Sequence, residues 1–411
     1  MEKHIVNFGV DSLWINFCYA DEREQPIKRE IEQWVLDKLA VFQEQAKLQD
    51  EPVVTDLVFN KLPLFMYPHG GGARSPWRFL LRNDMLEVKI GTGKKTGFVA
   101  KARLSASYLW SGEALIDCIA ETHIFVCGIF NAMMYPQVAE VHPCADVVHD
   151  FSTADWQDGF VRRSALVPHF DRQMKFVETG DASDADHVVG PDKVFMRYRP
   201  ITGFSFGTHA SAISAVIYNK SQYIRTKEPA SDYFCKIWEN NGYDGKQDVW
   251  RVEFRLKRDV LRDFKVEGVC HGIDNAYQLP DFLEGMWQYC TGQWMRYVVP
   301  DLTDSNRTRW PIRPIWQEIQ TAFVDLVPVA ELGPVIRERK RVVNIERIVP
   351  QIVGCAMTYY AWLKDDTPCY DEDLSTVLHH VYSSGLNYLE RSGKDFNATV
   401  RKKQQVYGLI A

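Results

Sequence analysis

Alternating polar residues in one segment of the chain could bind a divalent metal ion. In VAEVHPCADVVHD, the period of two that a β-strand imposes places Glu140, His142, Cys144 and Asp146 on one face. A neutral imidazole and a carboxylate on one rigid strand are suitable metal ligands, so His142 and Asp146 are candidate ligands. A half-exposed strand with a polar outer face shows the same alternation, and the pattern leaves both interpretations open.

The segment VWRVEFRLKR supplies a third candidate ligand. The same period places Arg251, Glu253 and Arg255 on one face of a predicted strand, opposite apolar residues. In the functional interpretation Glu253 is a metal ligand and the two arginines bind phosphate. The alternative is a surface ladder of ion pairs, worth well under ~1 kcal/mol per pair.

A third segment, ISAVIYNKSQYIR, carries two tyrosines that could have a structural or a chemical role. It reads as a strand that ends in Tyr218-Asn219-Lys220, with a second tyrosine at Tyr223. A half-buried aromatic side chain beside a solvated lysine is the simplest interpretation. The neighbouring segments decide whether this structural interpretation accounts for both tyrosines.

An antiparallel sheet is needed to bring these segments together. Residues from about 53 to 108 read as a meander of short strands separated by turns such as YPHGGGARSP and GTGKKTG. Helices are predicted at about 26–48 and 112–135, and strands resume from QVAEVHPCADVVHDF to VWRVEFRLK. After about residue 258 the pattern is helical. The predicted fold class is therefore α+β, with an antiparallel-sheet domain over residues 1–265 and a C-terminal, mostly helical region over 266–411.

Composition excludes several protein classes. A chain of 411 residues, 46% hydrophobic and 25% charged, can form one large or two ordinary cores, which excludes a disordered or fibrous protein. No apolar segment approaches the roughly 18 residues of a membrane span, and the first residues lack the order of a signal peptide. We therefore expect a cytoplasmic protein with no membrane contact. The nine cysteines are scattered singly without a CxxC pair, which indicates reduced thiols without structural zinc.

The net charge of −6 conceals two basic stretches. Residues 71–103 carry eight Lys or Arg against two acidic residues, a balance of +6, and residues 197–265 carry thirteen against eight, a balance of +5. Both contain aromatic residues, a mixture that suits a phosphate backbone with exposed bases, although a solvated face is the alternative. The turn GTGKKTG lacks the spacing of a phosphate-binding P-loop. Candidate DNA contacts are Lys94 and Lys95 in this turn, together with Arg251 and Arg255.

Four ordered motifs carry a resemblance to a known family. They are GVDSLWINF, AEVHPCADVV, FGTHASAISAVIYNK and DVWRVEFRLKRDVL. Over residues 8–265 the chain resembles the replication initiation factor family, the trans-acting Rep proteins of rolling-circle plasmids and filamentous phages, with related relaxases of integrative conjugative elements. That family shows an early Asp before a strand, an R-x-D-x-x-x-D strand, a G-S-x-x-S…Y-[DN]-K segment and a W-x-R-x-E strand.

The family motifs match this chain with some departures. Asp146 matches the second aspartate of the strand motif, whereas His142 stands at the first aspartate and Glu140 at the arginine. The remaining matches are Gly207, Thr208 and Ser211 for G-S-x-x-S, with Thr in place of the first Ser; Tyr218-Asn219-Lys220 for Y-[DN]-K; and Arg251 and Glu253 for R-x-E.

The resemblance implies a tyrosine-dependent single-strand DNA endonuclease and strand transferase. The phenol of Tyr218 would attack a phosphodiester polarised by Mg²⁺ or Mn²⁺, giving a 5′-phosphotyrosyl DNA and a free 3′-hydroxyl. His142, Asp146 and Glu253 would hold the ion, and Lys220 would face the same side of the strand as Tyr218 and neutralise phosphate charge. Tyr223 is the second candidate nucleophile. We favour Tyr218 because the pleat of its strand fixes its direction, whereas Tyr223 reaches the site only if the chain bends back.

The expected partner is single-stranded or locally melted DNA. A helicase or coupling protein and a second copy of the chain, forming a homodimer, are further candidate partners, and residues 266–411 are predicted to contact DNA or a partner. Two other functions fit the same residues. One is a non-catalytic DNA-binding protein on the same fold, and the other is a metal-dependent hydrolase with water as nucleophile.

Overall fold

The computed structural model of the protein describes most of the chain. The described residues are 4–71, 75–153, 156–163, 187–196, 200–208, 210–226, 233–264, 272–301, 303–304, 306–324, 345–363, 373–393 and 395–406. The chain divides into two compact units, Met1–Ile336 and Arg337–Ala411. The first unit contains the sheets and the second is helical, so the predicted α+β class with a helical C-terminal region is confirmed.

Most of the strands form one large, antiparallel sheet. The strands are β1 (Ile5–Ala20), β2 (Pro26–Ile27), β3 (Val53–Phe59), β4 (Leu62–Met66), β5 (Trp77–Arg82), β6 (Leu86–Gly91), β7 (Ala100–Leu104), β8 (Met134–Val148), β9 (Phe160–Arg163), β10 (His187–Val189), β11 (Lys193–Met196), β12 (Ile201–Phe206), β13 (Ile213–Asn219), β14 (Val249–Lys257) and β15 (Met295–Tyr297). The large sheet has the order β11-β12-β13-β14-β8-β1-β7-β6-β5-β4-β3, with β2 paired to β1. The strands β10, β9 and β15 form a second, small sheet.

Helices connect and flank these strands. They are α1 (Gln33–Gln49), α2 (Ala106–Leu109), α3 (Leu115–Phe130), α4 (Lys220–Thr226), α5 (Tyr233–Asn240), α6 (Arg258–Asp263), α7 (Leu279–Gln288), α8 (Pro314–Gln320), α9 (Ile345–Leu363), α10 (Leu374–Ser392) and α11 (Phe396–Val406). The helix predicted from residue 26 begins only at Gln33, because Pro26 and Ile27 pair with the end of β1.

The central strands have one apolar and one polar face. β1 and β8 pair over most of their length, β14 pairs with β8, and β13 pairs with β14, all antiparallel. Residues 138–148 and 248–257 are predicted to be strands of one sheet; all of them except Asp248 lie in the neighbouring strands β8 and β14. Leu13, Ile15 and Val141 on one face are fully buried in the core. Their polar neighbours in sequence, such as His142, lie on the other face.

The helices α6, α7 and α8, which follow β14, belong to the first unit. Trp287 of α7 and Trp316 of α8 are fully buried, and the Trp287 ring packs against Phe254 of β14 with a centroid distance of 5.3 Å. The Trp287 indole also donates a hydrogen bond to the Ile319 carbonyl. The predicted boundary at residue 265 therefore differs from the division in the structure, because a helical pattern in sequence identifies a helix without identifying the surface that it covers.

The second unit contains α9, α10 and α11. Ala356, Tyr360 and Val377 form a small buried cluster between α9 and α10. Among the described helices of the chain, none is both long enough and apolar enough to cross a membrane.

Candidate functional site

The polar face of the central strands forms the floor of a cavity of about 790 Å³. We call it the strand-face cavity. Strands β1, β7, β8, β11, β12, β13 and β14 and helix α4 contribute to its lining. Among the side chains that line it are Asp11, Trp14, Lys101, Arg103, Glu140, His142, Tyr218, Asn219, Gln222, Tyr223, Glu253, Arg255 and Lys257.

Both candidate nucleophiles line this cavity. Strand β13 ends at Asn219, whose side-chain oxygen accepts a hydrogen bond of 2.7 Å from the Gln222 backbone N–H in the first turn of α4. The helix turns the chain back, so that the Tyr223 ring lies 5.8 Å from the Tyr218 ring, centroid to centroid, at an interplanar angle of 66°. The bend that Tyr223 needs in order to reach the site is therefore present.

A glycine on the neighbouring strand makes room for Tyr218. Gly203 of β12 pairs with Tyr218 across the sheet. A Cβ atom at residue 203 would lie 2.9 Å from the Ile217 carbonyl oxygen and 3.0 Å from the Tyr218 Cβ atom. Burial raises the pKa of Tyr218 well above its ordinary value, so the phenol keeps its proton at neutral pH. A reaction at this phenol requires a neighbouring base.

Lys220 does not continue the strand as predicted. It begins α4 and is buried, with its Nζ atom 4.2 Å from the Phe234 ring centroid of α5. The same atom lies 5.8 Å from the Tyr218 ring centroid and 5.1 Å from that of Tyr223. Burial, reinforced by the nearby Arg251, lowers the pKa of Lys220 to about 8. The cation therefore lies beside both tyrosines, although the helix and not the strand pleat brings it there.

A histidine joins two carboxylates on the cavity floor. The His142 Nε2 atom donates to Glu140 Oε1 at 2.9 Å, and its Nδ1 atom lies 3.2 Å from Glu253 Oε1. Burial disfavours the imidazolium, but the two carboxylates outweigh burial and raise the pKa of His142. Burial likewise favours the protonated carboxyl of Glu253, but His142 and Arg255 lower its pKa to about 2. The Trp14 ring packs on the imidazole with a centroid distance of 4.6 Å.

Asp146 and Arg251 form a separate, fully buried ion pair. The Arg251 Nε and Nη2 atoms donate to the two carboxylate oxygens of Asp146 at 2.6 and 2.7 Å, and the Trp238 indole donates to the same carboxylate at 2.9 Å. The third arginine nitrogen donates to Asp11, which stands at a bulge in β1 and lines the cavity. The guanidinium of Arg251, which the sequence predicts as a DNA contact, has no exposed surface in this structure and is held by these carboxylates and by the Phe234 ring at 4.6 Å.

The predicted metal ligands do not meet as a set of three. His142 and Glu253 approach each other, whereas both oxygens of Asp146 are engaged by Arg251 and Trp238. Within the described parts of the chain, no group of three or more His, Cys, Asp or Glu side chains is arranged to hold a metal ion. The predicted trio thus does not fit a shared ion in this arrangement. The requirement for Mg²⁺ or Mn²⁺ stays a prediction.

Basic side chains line the wall of the cavity. Arg255 lies where predicted, with its Nε atom donating to Glu253 Oε1 at 2.9 Å, and Lys257 follows it on the same face of β14. Lys101 and Arg103 of β7 approach from the other side of β1. Lys94 and Lys95 are exposed in the turn before β7, outside the cavity, so their proposed DNA contact would have to be made at a distance from it.

The sequence-based predictions did not assign Lys101, Arg103, Lys257 or Asp11 to the site. Lys101 and Arg103 alternate with alanines in AKARL, a period of two that places both on one strand face. Lys257 continues the alternation of Arg251, Glu253 and Arg255 by one more step. The sequence therefore contains the alternation that could have identified these three basic residues. The position of Asp11 depends on the bulge, for which the sequence carries no comparable pattern.

Comparisons with known proteins give a weak structural similarity. No protein-family model matches the chain, and no curated protein matches it. The solved structure of a rolling circle replication initiator protein from Geobacillus stearothermophilus is similar to it, with 10% sequence identity over 80% of this chain and 98% of that chain. The TM-score of this superposition is 0.37. A likeness at this level assigns no activity to the chain.

Proposed function

We propose that the chain nicks and rejoins single-stranded or locally melted DNA through a covalent tyrosine intermediate. The observation that carries the proposal is the pair of adjacent tyrosines, Tyr218 and Tyr223, in one cavity lined by basic side chains. Cations beside a phenol suit a reaction in which a phosphodiester gains negative charge at the transition state.

The proposed reaction uses groups that line the strand-face cavity. The phenol oxygen attacks phosphorus, the bond from phosphorus to the 3′-oxygen breaks, and the DNA is left as a 5′-phosphotyrosyl end and a free 3′-hydroxyl. Because burial keeps the phenol of Tyr218 protonated, a carboxylate of the cavity, Asp11 or Glu253, would accept this proton and deliver it to the departing 3′-oxygen. Arg255 and Lys257 would balance the charge on the phosphate. The reverse attack by the 3′-hydroxyl rejoins the strand.

Tyr218 remains our proposed nucleophile, and Tyr223 is the alternative. Tyr218 is held by the sheet pairing of β13 with β14, whereas Tyr223 is 37% exposed on α4. A helicase or coupling protein, and a second copy of the chain, remain proposed partners.

End-labelled DNA tests the proposed reaction. A randomised single-stranded oligonucleotide pool is labelled at its 3′ end, incubated with the full chain in Mg²⁺ or Mn²⁺ and separated under denaturing conditions. Because the fragment downstream of the nick stays on the protein, we expect the 3′ label to migrate with the chain. The same pool labelled at its 5′ end should leave the chain unlabelled.

Tyrosine variants separate the alternatives. The double variant Tyr218→Phe, Tyr223→Phe should bind the pool like the wild type but acquire no label, because it lacks both phenols. Binding without label in the wild type would indicate a non-catalytic DNA-binding protein. Cleaved DNA without labelled protein would indicate hydrolysis by water.

A further inference from the structure

A second cavity lies beside the strand-face cavity. It has a volume of about 430 Å³, within the range of small-ligand pockets. We call it the amide cleft, after the side chains that line it: Asp150, Ser152, Asn219, Gln222, Arg225, Gln247 and Asp248, with Pro200, Ile201 and Trp250. Asn219 and Gln222 line both cavities, so the two meet at the junction of β13 and α4.

The polar wall of the amide cleft is held in place by side-chain hydrogen bonds. Arg225 donates to both oxygens of Asp248, at 2.9 and 3.1 Å, and the Asn219 amide donates to the same carboxylate at 2.7 Å. Asn219 also caps α4 by accepting from the Gln222 backbone N–H. The cap fixes the first turn of the helix and the ion pair fixes its last turn, and together they set the point from which the Gln222 side chain extends.

The charges of the two cavities differ in a way that suits different parts of a nucleotide. Asp150 and Asp248 stand against Arg225 in the amide cleft, so it has no excess of positive charge for a phosphate. Its other polar groups are amides and a hydroxyl. Amide side chains both donate and accept, and they pair with the edges of unstacked bases in single-stranded nucleic acids.

We propose that the amide cleft binds one unpaired nucleobase of the DNA strand whose phosphate occupies the strand-face cavity, and that Gln222 and Gln247 recognise its edge. This inference rests on the proposed function for the identity of the strand. It makes Gln222 a specificity-determining residue, because its side chain lies between the scissile phosphate and the neighbouring base. Trp250 forms part of the floor but is only 1% exposed, so recognition depends on hydrogen bonds at the base edge and not on stacking on this indole.

The chemistry of Gln222 predicts two different effects of substitution. Gln222→Leu keeps the approximate size of the side chain and removes its donor and acceptor, so preference for the bound base should fall by about 10-fold, since a good base contact discriminates by ~1–3 kcal/mol. Gln222→Glu leaves acceptors only, so the preference should move away from thymine, which presents no amino group, toward adenine, cytosine and guanine, which do. A purely structural role of Gln222 would not change which base is preferred.

Sequencing of bound DNA tests the inference. The full chain is mixed with the randomised single-stranded pool, and two fractions are sequenced, the DNA retained without a covalent bond and the DNA covalently attached. Wild type, Gln222→Leu and Gln222→Glu are compared with Gln45→Leu, a matched change at an exposed position of α1. If a Gln222 variant does not fold, Gln247→Ala in the exposed loop before β14 replaces it.

The possible results are distinct. The inference predicts that wild type and Gln45→Leu enrich one base at one position. Gln222→Leu should lose this enrichment, and Gln222→Glu should shift it toward bases that carry an amino group. An enrichment that is the same in all four proteins, or no enrichment by the wild type, would overturn it. If no covalent fraction forms but the retained fraction shows the predicted pattern, the proposed function fails and the base-binding cleft stands.

Discussion

Replacing Lys220 by methionine should stabilise the folded chain. Lys220 is 5% exposed, and burial together with Arg251 lowers its pKa from 10.5 to about 8. The folded state therefore binds this proton more weakly than the unfolded chain does. Because of this difference, the charged lysine opposes folding at neutral pH, and an apolar side chain of similar length should remove the cost.

The magnitude follows from the two pKa values. A fall from 10.5 to about 8 corresponds to about 3 kcal/mol of lost stability at pH 7. The Nζ atom lies 4.2 Å from the Phe234 ring centroid, and a desolvated cation–π contact can offset up to about 2 kcal/mol. We therefore expect Lys220→Met to raise the free energy of unfolding by about 1–3 kcal/mol at pH 7.

The pH dependence identifies the cause. The cost is fully present below pH 8, decreases as the pH rises from 8 toward 10.5 and is absent above that range, because the lysine is then neutral in both states. Urea unfolding followed by tryptophan fluorescence at pH 7 and at pH 10.5 measures the difference between variant and wild type. The control is Lys246→Met, at a side chain that is 81% exposed. A Lys220→Met chain that is less stable than wild type at pH 7, or a gain that is equal at both pH values, would refute this reasoning.

Three further predictions concern the ion pairs, the basic wall and the metal ion. Asp146→Asn should lower the free energy of unfolding by about 3–5 kcal/mol in the same urea assay, because the buried charge of Arg251 is then under-compensated. As a control, Asp244→Asn at an exposed ion pair should leave the free energy of unfolding unchanged. Arg255→Gln should weaken binding of single-stranded DNA and reduce the slope of log K against log salt by about 0.7. The control is Lys38→Gln on α1, which should leave the slope unchanged. An unchanged slope in Arg255→Gln would exclude a phosphate contact by this side chain. Removal of divalent ions with EDTA should abolish transfer of the 3′ label and Mn²⁺ should restore it, whereas transfer that persists in EDTA would show that the reaction needs no such ion.

The strand pattern predicted much of the framework of the site. The period of two placed His142, Glu253, Arg255 and Tyr218 on one face of a sheet, and the pairing of β8, β14 and β13 brings these residues to one cavity. Alternation is reliable here because the opposite face of each strand is an uninterrupted apolar surface in the core.

Two features depended on tertiary packing or helix capping that alternation does not encode. Arg251 and Asp146 lie on the predicted face, yet α5 covers this part of the sheet with Phe234 and Trp238, which turns a surface pair into a buried one. Lys220 follows Tyr218 by two residues, but the strand ends between them at Asn219 and the lysine enters a helix. Residue type and spacing gave no indication of either change, because both depend on elements that are distant in sequence or on a helix cap.

Identification of the tyrosine that carries DNA tests the central claim most directly. The covalent fraction from wild type, Tyr218→Phe and Tyr223→Phe is digested with nuclease and protease, and the peptide that retains a nucleotide is sequenced by mass spectrometry. We predict that wild type and Tyr223→Phe carry the nucleotide on Tyr218, and that Tyr218→Phe carries none. A nucleotide on Tyr223 with Tyr218→Phe still active would contradict the assignment of the nucleophile, and the absence of any nucleotide-bearing peptide in the wild type would contradict the covalent mechanism itself.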